Sequence, residues 1–178
     1  MLVVVAATER ELTPLDGVRT LACGIGPVEA AVATARTLVE EPPPAVLHVG
    51  IAGARGLEPL TLVFGTEAVY CDAAGSLVPA LALPDADLLA LLHEAFPDAV
   101  LRPIGTSARV GGSHELDVEA MEGFAVLRAC ELAGVPAVEV RVISNEIDEP
   151  DRARWRFDEA FALLTETLPR LVAVASNR

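Results

Sequence analysis

The chain has 178 residues, of which 52% are hydrophobic, and carries a formal net charge of −13. That length suits one domain spanning residues 1–178 with a substantial core, and 22% charged residues is too few for a chain held open by its own charge. All 13 basic residues are arginine, which excludes lysine Schiff-base chemistry and a phosphate-loop lysine, and the acidic balance argues against nucleic acid as a partner.

The run Leu2 to Ala7 is apolar and rich in β-branched residues, the pattern of a strand buried on both faces. Val18 to Ala22 is a weaker strand candidate. Gly26-Pro27 opens a helix through about Val39, with proline at the first helical position, and Pro42-Pro43-Pro44 stops it. Ala45 to Val49 reads as a strand followed by a glycine-bearing turn, Gly50-Ile51-Ala52-Gly53. Leu62 to Cys71 reads as a strand bent at Gly65, Leu77 to Leu83 as a short strand, and Asp85 to Ala95 as a helix. Val100 to Ser107 has strand character broken by Pro103. Val118 to Ala133 has helical spacing closed by Gly134-Val135-Pro136. Ala137 to Ile143 alternates as a strand, and Asp158 to Ala175 is a final helix with a kink or break expected at Pro169. Strands alternating with helices indicate an α/β domain with a largely parallel or mixed sheet, whose site lies at the carboxyl ends of the strands.

Cys23, Cys71 and Cys130 are an odd, widely spaced set, and His48, His93 and His114 are equally scattered. Neither set has metal-ligand or disulfide spacing, so no metal and no cofactor are expected, and free thiols in a reducing compartment are. The N-terminus lacks a basic leader, and no apolar run is long enough to span a membrane. A cytoplasmic protein without a membrane partner is therefore expected.

Four groups stand at strand ends. Thr8-Glu9-Arg10-Glu11 has the spacing of a capping box, yet Pro14 leaves little room for a helix. Gly50-Ile51-Ala52-Gly53 permits close backbone approach to a ligand, or is a plain tight turn. Gly24-Ile25-Gly26 is similarly ambiguous and lacks the spacing of a dinucleotide fingerprint. Glu119-Ala120-Met121-Glu122-Gly123 places acids where they favour a helix dipole, and Ser144-Asn145 ends the strongest late strand, where either residue also serves as a cap or turn.

Taken together, these segments resemble the nucleoside phosphorylase/hydrolase family over nearly the whole chain. The most specific elements are Met121-Glu122-Gly123 and Arg141-Val142-Ile143-Ser144-Asn145, joined by Ala7 to Glu11, Gly24 to Ala31 and Gly50 to Gly53. Gly50 to Gly53 and the stretch Ile143 to Trp155 are most similar to the futalosine-hydrolysing branch. The resemblance implies a three-layer α/β fold with a central mixed, mostly parallel sheet flanked by helices, a homodimer or larger homo-oligomer, and a small-molecule nucleoside as substrate. It implies cleavage of the bond between a purine and a ribose-like sugar, releasing hypoxanthine from futalosine in menaquinone biosynthesis. Another purine nucleosidase, of the methylthioadenosine/adenosylhomocysteine type, or a purine nucleoside phosphorylase is the alternative.

By the same resemblance, Glu11 positions and deprotonates water. Glu122 accepts hydrogen bonds from the ribose hydroxyls and faces the cationic sugar of the transition state. Met121 packs on the sugar, and Ala52, Gly53 and Val110 adjoin the substrate. Related nucleosidases acting on 6-aminopurines place aspartate where this chain has Asn145. An amide donates to a 6-oxo group and accepts from a protonated ring nitrogen 7, so Asn145 favours hypoxanthine or guanine over adenine. Arg55 is a candidate for phosphate, and Arg109 for a substrate carboxylate or, more plainly, an exposed surface residue. The stretch Asp72 to Arg109 is shorter than in the family.

Overall fold

The computed structural model describes every residue except Ala74, Ser76, His114 and Arg178. The strands are β1 (Leu2–Ala6), β2 (Val18–Ala22), β3 (Val46–Ala54), β4 (Leu62–Tyr70), β5 (Leu81–Ala82), β6 (Val100–Thr106), β7 (Val118–Ala120) and β8 (Ala137–Glu146). The helices are α1 (Pro27–Glu40), α2 (Ala86–Ala95), α3 (Gly123–Ala133) and α4 (Phe157–Ser176), with one-turn 3₁₀ segments at Glu9–Glu11 and Arg152–Arg154.

β1 is buried along its whole length, as its composition predicts. Period-two alternation divides it between two cores. Leu2, Val4 and Ala6 join Leu88 and Leu92 of α2 and Leu164, Leu168 and Leu171 of α4. Val3 and Val5 face the other way, onto Ala30 and Leu38 of α1 and Val126, Leu127 and Cys130 of α3. Helices therefore cover both faces of a mixed sheet, the expected three layers.

The pairing closes part of this sheet on itself. β3 pairs with β8, β8 with β4, β4 with β6, β6 with β7, and β7 returns to β3. Ala52, Ala54, Val63, Ile104, Val118, Ala120 and Ile143 fill the ring. β1 and β2 extend from β3 as a parallel wing.

Several elements differ from the sequence reading. Gly50 to Gly53 is not a turn: β3 runs through it to Ala54, paired with β8 residue by residue. Val118 to Ala133 is not one helix. Val118–Ala120 is a strand that hydrogen-bonds to β3 and β6 and closes the ring, and α3 starts only at Gly123. Helical periodicity is a local signal, and here a long-range ladder overrides it. Of Leu77 to Leu83 only Leu81–Ala82 forms a strand. Pro103 does not break β6, because β4 slips register between Gly65 and Glu67 opposite it and absorbs the irregularity. The slip falls beside Gly65, where the sequence reading placed a bend. Pro169 does not break α4 either: it lies on the exposed side, while Leu164, Leu168, Leu171 and Val172 hold the helix to the core on both sides of it. The expected stops hold: Asp85 caps α2 through Leu88 N–H, and Gly134 ends α3 in the left-handed conformation. Cys23, Cys71 and Cys130 are free thiols, and burial pushes Cys23 and Cys130 up to about 12. No described helix is long and apolar enough to cross a membrane.

Candidate active site

A cleft of ≈ 370 Å³ opens at the carboxyl ends of β1, β3 and β8. It gathers all seven of the expected site residues: Glu11, Ala52, Gly53, Val110, Met121, Glu122 and Asn145. Arg109 is exposed and is not among the residues lining the cleft, so the exposed surface reading holds. Arg55 is bound to Asp148 through Nε at 3.0 Å and donates to the Leu116 carbonyl at 3.1 Å, ties that make it a strut rather than a phosphate ligand.

Glu11 is buried at the end of its 3₁₀ turn. Its Oε2 accepts from Thr8 N–H and from the Thr8 hydroxyl, both at 2.9 Å, and its Oε1 accepts from Ile51 N–H at 3.3 Å. The capping reading of Thr8 and Glu11 is thus real, and it also serves the site. The cap orients the carboxylate, while β3 supplies a third donor. With its two oxygens held by these three donors, Glu11 lines the cleft.

Glu122 stands at the N-terminus of α3 and is 4% exposed. Its Oε1 accepts from Gly26 N–H at 2.9 Å, and its Oε2 is 3.8 Å from Arg141 Nη2. The Gly24-Ile25-Gly26 turn therefore braces a carboxylate. Gly26 has φ +95°, a backbone state that favours glycine. Burial raises the pKa of Glu122, opposed chiefly by Arg141 and by the Gly26 N–H.

Arg141, Glu139 and His48 form a buried layer beneath the cleft. The alternation of β8 marked a strand, but the strand is enclosed on both faces from Ala137 to Asn145. Arg141 Nε donates to Glu139 Oε1 at 2.8 Å, and its Nη2 donates to His48 Nε2. Arginine has only donors, so His48 is the Nδ1–H tautomer, which donates to the Val5 carbonyl at 3.2 Å. Burial and the Arg141 charge hold His48 well below its ordinary range, and it is neutral. Burial raises Glu139 against the pull of Arg141. Burial alone would lower Arg141, but Glu139, Glu122 and Glu11 outweigh it and keep the guanidinium charged. Two glycines make room. A Cβ at Gly50 would overlap Arg141 Nη1, and one at Gly123 would overlap the Glu139 carboxyl.

Asn145 is positioned by a bulge. Ala52 pairs with Ile143 but Gly53 pairs with Asn145, leaving Ser144 as the extra residue. In a regular strand neighbours point to opposite faces; here Ser144 and Asn145 both reach the cleft. The Ser144 hydroxyl lies 2.8 Å from Asn145 Oδ1, and Asn145 Nδ2 donates to the Glu146 carbonyl at 3.0 Å. One N–H and one lone pair of the amide remain for a ligand. Trp155, Phe157 and Phe161 also line the cleft. Sequence reasoning did not assign a role to these rings or to His48 and Glu139. Their only local signal is the charged pair Glu139 and Arg141 inside a valine-rich strand.

No protein-family model matches the chain. It is 34% identical to the futalosine hydrolase of Streptomyces coelicolor over 91% of this chain and 81% of that protein. It is 31% identical to the futalosine hydrolase of Thermus thermophilus over 86% of this chain and 80% of that protein. The chain belongs to the futalosine hydrolase family. Among solved structures, the native futalosine hydrolase of Helicobacter pylori superposes with a TM-score of 0.86 at 18% identity, covering 97% of each chain. A methylthioadenosine/adenosylhomocysteine nucleosidase from Colwellia psychrerythraea, solved with adenine, superposes with a TM-score of 0.82 at 22% identity over 98% of this chain and 93% of that one. These likenesses show that the futalosine hydrolase fold is shared with the nucleosidases.

Proposed function

We infer that this enzyme hydrolyses the N-glycosidic bond of futalosine and releases hypoxanthine, as a step of menaquinone biosynthesis in the cytoplasm. The observation that carries the reading is that Glu11, Glu122 and Asn145, remote in sequence, line one cleft in a member of the futalosine hydrolase family. Glu11 takes a proton from a water that attacks the anomeric carbon. The glycosidic electrons leave with the purine, which gains a proton at nitrogen 7 from solvent. Asn145 Oδ1 accepts from that N–H, while Nδ2 donates to the 6-oxo oxygen. Glu122 accepts from the ribose hydroxyls and, with Glu11, offsets the cationic character of the sugar in the transition state. Arg141 fixes the two carboxylates from below.

Chromatography of the free base tests this, with futalosine, inosine and methylthioadenosine each incubated with and without phosphate. Hypoxanthine from futalosine without phosphate is expected. Strict phosphate dependence refutes hydrolysis, and adenine release refutes the role of Asn145. Glu11→Gln is expected to abolish turnover and leave binding intact; unchanged turnover reduces Glu11 to a cap.

The same reading includes a homodimer or larger homo-oligomer. It is supported by an apolar face on α1 and α3, where Val28, Val32, Val39 and Leu132 are all more than half exposed. Sedimentation of the purified protein tests it, and a monomer at micromolar concentration overturns it.

A further inference from the structure

Resting on the nucleosidase reading, we propose that Glu119 is a positioning residue of the cleft: its carboxylate ties down the loop of residues 107–113 and so holds Val110 against the purine. By sequence Glu119 suits a helix dipole, but α3 starts only at Gly123 and Glu119 lies in β7. The dipole reason therefore does not apply to it, yet it is buried and lines the cleft. A carboxylate taken out of water is costly unless donors replace the lost hydration. Here the donors come from one loop. Oε1 accepts from Gly111 N–H, and Oε2 accepts from Ser113 N–H at 3.1 Å and from the Ser113 hydroxyl at 2.8 Å. The hydrolytic steps use Glu11, Glu122 and Asn145 and give this third carboxylate no task.

The sheet leaves room for this tie. Glu119 pairs with Gly53 of β3 on one side and with Gly105 of β6 on the other. Residues paired across a ladder share a face. A Cβ at Gly53 would stand 3.0 Å from Asn145 Nδ2, and one at Gly105 would stand 2.5 Å from Ser113 Cβ. Asn145, Glu119 and Ser113 therefore lie side by side, and the loop is anchored beside the amide assigned to the base. The flanks of the loop are held separately. Asp72 accepts from the Ser107 hydroxyl at 3.0 Å and from Ala108 N–H at 2.7 Å, and Arg55 donates to the Leu116 carbonyl at 3.1 Å. Glu119 takes the segment between them, and Val110 directly precedes its first donor, Gly111. Val110 is 48% exposed and lines the cleft. An apolar side chain open to water on a cleft wall favours a flat ring that covers it. Tying the loop beforehand removes its ordering cost from binding, so the effect belongs in KM rather than in kcat.

The test compares wild type, Glu119→Ala, Glu119→Gln, Val110→Ala and the double variant of Glu119→Ala with Val110→Ala. In the ligand-free protein, Glu119→Ala is expected to speed hydrogen exchange at the Gly111 and Ser113 amides about tenfold or more and to leave the β1 amides unchanged. It should raise KM for futalosine about tenfold and leave kcat within about threefold. Glu119→Gln keeps one acceptor oxygen and should recover part of both effects. In the Val110→Ala background, Glu119→Ala should add no more than about twofold to KM, because the two side chains act as one unit. Unchanged exchange at the two amides overturns the proposal, and so does a loss that falls on kcat with KM unchanged. Full additivity of the two substitutions makes Glu119 a direct ligand of the substrate and overturns it as well. If Glu119→Ala does not fold, Glu119→Gln carries the same readouts, and wild-type exchange and KM in that variant refute the tie. If wild type releases base from no nucleoside, the nucleosidase reading fails. Exchange in the ligand-free protein and calorimetric affinity for free hypoxanthine then decide the role of Glu119 alone, with equal affinities of wild type and Glu119→Gln, or no binding by wild type, refuting it.

Discussion

Gly50→Ala is the most direct probe of the layer beneath the cleft, because it adds one methyl group and no charge. An alanine Cβ would overlap Arg141 Nη1, and would stand 2.8 Å from Glu11 Oε1 and 3.4 Å from Arg141 Cζ. Ordinary contact begins near 3.4 Å, so the Glu11 oxygen must withdraw by about 0.6 Å and the guanidinium nitrogen by more. Neither group is free to do so. Arg141 is 1% exposed and tied to Glu139 and His48, while Glu11 is held by Thr8 and Ile51. Backbone relief is closed as well, since Gly50 lies within β3, paired with Arg141 itself. Overpacking of this kind costs about 1–3 kcal/mol of stability. If Glu11 activates water as proposed, displacing its carboxylate by somewhat under 1 Å should lower the rate by up to about 10²-fold. Base release under saturating substrate gives kcat, and urea unfolding gives the stability loss. The reasoning predicts a fall in kcat larger than the stability loss explains, measured well below the unfolding transition. A Gly50→Ala enzyme with wild-type kcat would falsify it. Gly53→Ala is the internal control. Its Cβ meets Asn145 Nδ2 at 3.0 Å and Ile147 at 3.1 Å, so it should disturb base preference more than rate.

Asn145→Asp places a carboxylate oxygen where Nδ2 now donates to the Glu146 carbonyl at 3.0 Å. The lost donor and the new repulsion should lower kcat/KM for 6-oxopurine nucleosides by about 1–3 kcal/mol, or 5- to 150-fold, and shift preference toward 6-aminopurines; unchanged preference between inosine and adenosine refutes the assignment. Glu139→Ala leaves the buried Arg141 without its closest carboxylate and should cost about 3–5 kcal/mol in urea unfolding. A loss below 1 kcal/mol would show that Glu122 suffices. For His48 the sign runs one way. Its folded pKa is depressed below the unfolded value of about 6.5, so the unfolded chain binds the proton that the native protein refuses. Its contribution is complete above that value and declines as pH falls below it. The raised pKa values of Glu122 and Glu139 act oppositely, with stability falling as pH rises through their upward-shifted range. The difference in unfolding free energy between wild type and His48→Gln isolates the histidine and should shrink steadily below about pH 6.5; a flat difference contradicts a buried neutral imidazole.

Much of this protein is local, and the sequence carries it. The apolar run of β1, the proline start of α1, the Gly134 stop of α3 and the buried stripe of α4 are decided by nearest neighbours and periodicity. The seven residues that the family resemblance singled out line one cleft in the fold. What the sequence could not decide depends on partners far along the chain. Val118–Ala120 looks helical until β3 and β6 claim its backbone groups. Gly50 to Gly53 looks like a turn until β8 pairs with it and Arg141 fills the space where side chains would stand. Glu139 and Arg141 suit an alternating strand with one wet face, and only the closing of helices over both sides turns them into a dry charged layer. Local propensity sets elements because its range is a few residues; ion pairing and close approach are set by what the fold brings within a few ångströms, which sequence distance does not encode.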